Sequence, residues 1–419
     1  MKTKAVRLYG EGDLRLEEFD LPEIKEDEIL AYVIVDSLCM SSYKASKLGK
    51  NHKRVPENVA ANPVIIGHEF CGDIVKAGSK WKDQFKVGDR FAVQPALGEH
   101  TLEAAGYSFR YFGGDATYVI IPAIYMENNC IIPYNGDAYY KGALSEPYSC
   151  VAGTFHSHYH TKFGSYQHLM GIKEGGNMIM IGAAGPMGTA AIDYVLHCDR
   201  RPGRLVVTDI DDIRLERIAS LLTAEEARKN GVELIYLNTG KINNVKAGLL
   251  AYTEKKGFDD ALVFAPVKPV VELADSILAT DGCLNFFAGP ADPDFKAEFN
   301  FFNAHYNATH ITATNAGNTD DIREVIQMAE KEHINPSILV THIGGLNSVA
   351  EATLNLPKIP GGKKLIYTNI DFPLTAISEF GEKGKSDSIF AVLDEICNKH
   401  GGLWSAEAEF FLLENAKTI

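Results

Sequence analysis

Residues 177–209 read as strand, glycine turn, helix and strand, and this segment restricts the fold more than any other. Met178-Ile179-Met180-Ile181 is a continuous apolar run, and Gly182-Ala183-Ala184-Gly185-Pro186-Met187-Gly188 is a turn. Residues 189–197 continue as an apolar helix, and Leu205-Val206-Val207-Thr208-Asp209 is a second strand. A strand, turn, helix and strand in about 30 residues is the right-handed βαβ unit of a parallel sheet. Later strands are expected at 260–264 and 283–288, with a helix at 270–278 between them, and the sheet is expected to end near Thr314.

The glycine turn also constrains chemistry. Gly185 and Gly188 let the backbone approach a pyrophosphate while the following helix offers unpaired N–H groups and the positive end of its dipole. Pro186 and Met187 complete the turn, and Ala183 stands where a strict G-x-G-x-x-G places its first glycine. Asp209 closes the next strand, where its carboxylate can bond the adenosine ribose and repel a 2′-phosphate. NAD(H) is therefore expected over NADP(H).

The chain has 419 residues, enough for two cores. Residues 1–150 read as strands and turns: 28–35 is an apolar run, 73–75 and 90–93 are short strands, and Lys86-Val87-Gly88-Asp89 is a turn. The expected division from pattern alone is a mostly-β region over 1–150 and a doubly wound parallel-sheet domain over 151–314.

A net charge of −14 opposes nonspecific binding to nucleic acid or anionic membranes and favours a small-molecule substrate. No window approaches the ~18 apolar residues of a membrane span. The N-terminus shows no apolar run or cleavage site, so a cytoplasmic protein is expected. Seven cysteines without repeated spacing do not describe a disulfide framework.

Upstream of the glycine turn lie Cys39, Gly67-His68-Glu69 and Glu146-Pro147. A thiolate, an imidazole and a carboxylate suit zinc, and a catalytic zinc keeps a position for water or substrate oxygen. Each residue alone reads as an ordinary packed or capping group; together they read as a metal set. Glu146 sits in the apolar surroundings of Ala143-Leu144-Ser145-Glu146-Pro147, where an unpaired carboxylate is costly and a cation is a reasonable partner. The hydroxyl of Ser41 could carry a proton between substrate oxygen and solvent.

These residues, with Val87-Gly88-Asp89-Arg90, residues 113–119 and Thr208-Asp209, resemble the zinc-dependent medium-chain dehydrogenases, and within them the polyol branch typified by sorbitol dehydrogenase. A narrower likeness, to reductases of the L-sorbose-1-phosphate type, rests on residues 281–290 and 305–310 and on the tail through Trp404. The resemblance implies a GroES-like catalytic domain over 1–150, interrupted by a Rossmann domain over 151–314, with a return to the catalytic domain and a C-terminal extension over 315–419. It implies one catalytic zinc at Cys39, His68 and Glu69, with Glu146 binding directly or through the zinc's water. Ser41 matches the hydroxyl relay position, and Lys44 stands where relatives often carry a histidine further along the relay. Residues 94–115 lack the four cysteines of the structural zinc of many relatives, so one zinc per chain is expected.

The implied reaction is hydride transfer between NAD(H) and a polyol or ketose, including a sugar phosphate such as L-sorbose 1-phosphate or glucitol 6-phosphate. For a phosphate, the segment Lys44, Lys47, Lys50, His52, Lys53 and Arg54, or Arg110, offers cations. A homodimer or homotetramer is expected, with residues 284–288 read as an exposed sheet edge that a partner would cover. His156, His158 and His160 are expected to be solvated or packed side chains. The competing classes are a dehydrogenase of unphosphorylated polyols, a zinc-free quinone or enone reductase, and a noncatalytic cofactor-binding sensor.

Overall fold

A computed structural model describes residues 1–98, 101–162, 164–290 and 292–419, so Glu99 and His100 of the 94–115 lobe lie outside the described residues. The chain divides into two compact units: Met1–Pro147 with Asn318–Ile419, and Tyr148–Gly317.

The first unit holds a three-stranded antiparallel sheet, Asp13–Asp20, Lys2–Gly10 and Val64–Ile65, and an eight-stranded mixed sheet. At the centre of the larger sheet is Ile29–Ser37, whose side chains alternate in burial at first and then become wholly buried. It pairs antiparallel with Phe70–Ala77, Tyr118–Ile121 and Lys363–Tyr367. The core on one side gathers Val33, Phe70, Phe91, Phe112 and Tyr125. In the turn Lys86–Asp89, Gly88 has a φ of +88°, and the Lys86 amide donates to Asp89 at 2.7 Å.

The second unit carries a six-stranded, all-parallel sheet. Its order is Glu233–Asn238, Arg204–Asp209, Asn177–Ile181, Phe258–Val263, Leu278–Phe286 and His310–Ala313. The chain starts mid-sheet, winds to one edge and returns past its start to the other. This doubly wound arrangement has its switch point beside Asn177–Ile181, where such sheets bind ligands at the carboxyl ends of their strands. Leu205, Val206 and Val207 are fully buried, as strands covered on both faces require.

The sequence signals misplace one edge. Residues 284–288 do not form it: Leu284 is fully buried, and His310–Ala313 pairs along that strand. A short apolar run reads the same whether a strand is internal or terminal, and the covering strand, with only one aliphatic Ile, carries a weak signal. The hairpin Tyr159–Thr161 with His168–Met170 also escapes sequence patterning. His158, just before this hairpin, and His160 within it are packed, both donating to Asp260 Oδ1, at 2.7 and 3.1 Å. Burial alone would raise the Asp260 pKa, but these two hydrogen bonds prevail and hold it at about 2. Among the described residues, no helix is long and apolar enough to cross a membrane.

Candidate metal centre and dinucleotide turn

Three backbone devices in the first unit bring distant residues together. The Ile29–Ser37 strand runs on into Cys39, which stands in extended conformation at the start of the helix Met40–Leu48. Between Val64–Ile65 and Phe70–Ala77 the chain turns at Gly67, with φ +87°, and presents His68 and Glu69. A Cβ at Gly67 would lie 2.6 Å from the Asp115 amide nitrogen and 2.8 Å from Asp36 Oδ2, so only glycine fits. The Ser37 amide donates to the Glu69 carbonyl at 3.1 Å, and the Leu38 amide to the Lys364 carbonyl at 2.9 Å, which ties the return strand to the same place.

The result is a cluster in which ligand atoms of Cys39, His68 and Glu69 lie within 4.8 Å of one another. The His68 ring is held at both nitrogens. Nδ1 is 3.1 Å from Ser42 Oγ, while Nε2 is 3.2 Å from Ser41 Oγ and 3.4 Å from the Tyr107 hydroxyl. Ser41 Oγ donates to Cys39 Sγ at 3.0 Å. An imidazole fixed through Nδ1 presents Nε2 to a metal in the oriented form that metal sites use. Lys44 is half-buried on the same helix, one turn beyond Ser41.

Charge in this cluster is unbalanced. Glu69 is buried, and both its carboxylate oxygens accept from Lys363 Nζ, at 2.5 and 2.6 Å. Glu146, in the first turn of the helix Ser145–Ser157, is also buried. Burial first, and the Glu69 charge second, push its pKa up to about 8. The same two causes raise the Cys39 thiol. Glu146 lies outside the set of ligand atoms within 4.8 Å of one another, but it, Glu69 and Cys39 all feel the charge of the Lys363 ammonium. Lys363 keeps Glu69 ionised while Cys39 and Glu146 retain their protons for want of further positive charge, and such a soft-and-hard donor set fits a divalent zinc ion, which would take the place of those protons.

Behind the Gly67 turn, Asp36 and Asp115 are fully buried, and Asp36 Oδ1 accepts the Glu69 amide at 2.9 Å. Burial lifts Asp115 to about 7 and Asp36 well above the carboxylate range. Lys363, Tyr107, Asp36 and Asp115 were not among the sequence candidates. A signal existed for Lys363: the strand Lys363–Tyr367 is buried throughout, and a lysine in such a strand requires a carboxylate.

In the second unit, Gly182 has φ +70°, and a Cβ there would meet Ala265 Cβ at 2.9 Å. The Gly182 and Ala183 amides both donate to the Thr208 carbonyl, at 2.9 and 3.0 Å. Gly185 caps the helix Pro186–His197. A Cβ on Gly185 would enter open space, whereas one on Gly188 would lie 2.0 Å from the Ala183 carbonyl oxygen. Gly188 therefore permits the close packing of helix on strand, and Gly185 leaves the approach to the helix N-terminus clear, as a pyrophosphate needs. Met187 lies in the first turn of that helix. Asp209 ends its strand, Oδ2 accepting from the Ala184 amide at 2.9 Å and Oδ1 from Ile210 at 2.8 Å.

Residues 25–129 match the alcohol dehydrogenase GroES-like domain. Over 413 residues the chain is 48% identical to the mannitol-1-phosphate 5-dehydrogenase of Aliivibrio fischeri, covering 99% of this chain and 98% of that protein. Over 418 residues it is 44% identical to the L-sorbose 1-phosphate reductase of Klebsiella pneumoniae, covering 100% of this chain and 98% of the relative. The crystal structure of galactitol-1-phosphate dehydrogenase from Escherichia coli shares the fold, with a TM-score of 0.67 at 21% identity over 87% of this chain and 99% of that one. The chain belongs to the zinc-dependent medium-chain dehydrogenase family, in its polyol branch. It is an oxidoreductase.

Proposed function

We propose that the chain is a zinc-dependent, NAD(H)-linked dehydrogenase interconverting a hexitol phosphate and a ketose phosphate of the glucitol 6-phosphate and L-sorbose 1-phosphate kind. The convergence of Cys39, His68 and Glu69 carries the reading, and the names of the 48% and 44% identical relatives support the phosphorylated substrate. Cys39, His68, Glu69 and Glu146 would hold one zinc per chain. When bound, zinc polarises the substrate oxygen as a Lewis acid, and the nicotinamide exchanges the hydride.

The chain's own groups handle the proton and the charge. Ser41, touching both Cys39 Sγ and His68 Nε2, accepts the carbinol proton in oxidation and returns it in reduction. Lys44, one helical turn on, continues that relay. Ser42 fixes the His68 ring, and Lys363 holds Glu69 ionised. Zinc content measured alongside NADH oxidation with ketoses and their phosphates tests the reading. A zinc-free protein, or one active on quinones alone, would overturn it.

Cofactor choice rests on Asp209. Ala183, Gly185, Pro186, Met187 and Gly188 cradle the pyrophosphate, and Asp209 receives the ribose. A 2′-phosphate beside this carboxylate meets like charge. Wild-type kcat/KM should favour NADH over NADPH, and Asp209→Ser should shift the ratio toward NADPH by about tenfold to a hundredfold. An unchanged ratio would show that Asp209 does not select the cofactor.

For assembly we propose a two-fold partner on the edge strand His310–Ala313. Ile311 on that strand is exposed, and so are Phe301, Phe302 and Tyr306 on the nearby helix Phe301–Tyr306. An unpaired strand edge beside exposed aromatic rings is a liability that a second copy removes. Light scattering at micromolar concentration should give a dimer or tetramer, and Ile311→Lys should shift it toward monomer. A wild-type monomer would refute the interface.

A further inference from the structure

We propose that Arg54 is the specificity residue that holds the phosphate of a ketose 1-phosphate, an inference that rests on the sugar-phosphate reading above. The sequence offers a run of cations in this region, and the structure separates them. Lys47, Lys50 and Lys53 are exposed. Lys44 already has a partner, and Arg110 is exposed over the Tyr111 ring at 5.2 Å. Arg54 differs from the exposed cations in reaching His68 through a single aromatic ring.

The Arg54 guanidinium lies 5.8 Å from the centre of the Tyr107 ring. That ring is 5.0 Å from the His68 ring, and its hydroxyl is 3.4 Å from His68 Nε2, the nitrogen beside Ser41 Oγ. A permanent cation thus stands one aromatic ring away from the atoms that would meet the substrate oxygen. Its backbone is pinned on both sides. The Arg54 amide donates to His52 Nδ1 at 3.3 Å, and its carbonyl accepts from Ser108 Oγ at 2.7 Å. The His52 ring stacks on Tyr107 at 5.6 Å.

Among the described residues, no carboxylate pairs with Arg54, so its planar set of donors is available for a bidentate anion. In a chain of net charge −14, an arginine with no described carboxylate beside it, held this close to the acidic cluster, calls for an anionic partner. The separation also selects which phosphate. In a ketose 1-phosphate the ester sits on the carbon next to the carbonyl and falls within one ring's reach of the metal donors. In a ketose 6-phosphate it sits four carbons from the carbonyl, so the two isomers place the charge at different distances from the reacting carbon.

The test uses the zinc-loaded enzyme with NADH and three probes: L-sorbose, L-sorbose 1-phosphate and fructose 6-phosphate. The quantity read is kcat/KM for the 1-phosphate divided by that for free sorbose. Arg54→Gln should lower this ratio by about tenfold or more, chiefly through KM, and Arg54→Lys should recover part of it because the charge remains and the fork is lost. Lys47→Gln should leave the ratio within about twofold. Zinc content and thermal melting confirm that the variants are folded. A wild-type preference for the 1-phosphate that survives Arg54→Gln, or a preference for fructose 6-phosphate, would overturn the assignment of Arg54 while leaving the sugar-phosphate reading intact. A wild-type preference for free sorbose would overturn the substrate reading itself.

Discussion

Cys39→Ala and His68→Ala should each reduce bound zinc from about one ion per chain to a small fraction and lower kcat/KM by about a thousandfold or more. The ion contributes several kcal/mol of charge stabilisation to the reacting oxygen, and each 1.4 kcal/mol is tenfold in rate. The two variants also separate metal loss from misfolding. Cys39 stands at the start of the helix Met40–Leu48 and is not fully buried, so replacing its thiol removes little packing. His68 is buried, with both ring nitrogens in contact with hydroxyls, so His68→Ala leaves Ser42 without its ring partner and costs additional stability. Inductively coupled plasma measurement of zinc, paired with the melting temperature, should show metal loss in both and a larger stability loss at His68. Full zinc in both variants would remove Cys39 and His68 from the metal centre.

The doubly wound sheet was legible because its signals are local. Apolar strands, a glycine turn and a following helix lie within one stretch of chain, and the first strand, Asn177–Ile181, falls one residue from its expected start. The candidate donors Cys39, His68 and Glu69, which the structure brings together, were legible as residue types in sequence order. Their surroundings were not, because those are made by sheet pairing between distant segments. Lys363 reaches Glu69 across 294 positions, through the antiparallel pairing of Lys363–Tyr367 with Ile29–Ser37. Asp36 supports the Gly67 turn from another strand, and Tyr107 arrives from the lobe between strands. The hidden strand edge has the same origin: whether residues 284–288 are covered depends on a later strand of four residues. Periodicity reports how one segment meets solvent or core, and it carries no record of which segment covers it.

Lys363→Met should destabilise the zinc-free enzyme by about 3–5 kcal/mol, the usual cost of breaking a buried ion pair from one side. Lys363 is the ammonium facing Glu69, with Cys39 and Glu146 also within its electrostatic reach. Burial alone would lower its pKa, yet the Glu69 charge outweighs burial and raises it, so the lysine stays charged in the folded unit. Methionine keeps much of the length and apolar volume of the stem, so the variant tests charge rather than packing. Zinc would add two positive charges to the same cluster, and the loss in the zinc-loaded enzyme should therefore be less than half that in the zinc-free form. Lys363→Arg, which keeps the charge, should recover most of the stability in both. Denaturant unfolding followed by tryptophan fluorescence reads this directly, because Trp81 and Trp404, the two tryptophans of the chain, both belong to the unit that carries Lys363. An equal loss with and without zinc would show that the lysine serves packing alone and that the acidic cluster does not depend on the metal for its balance.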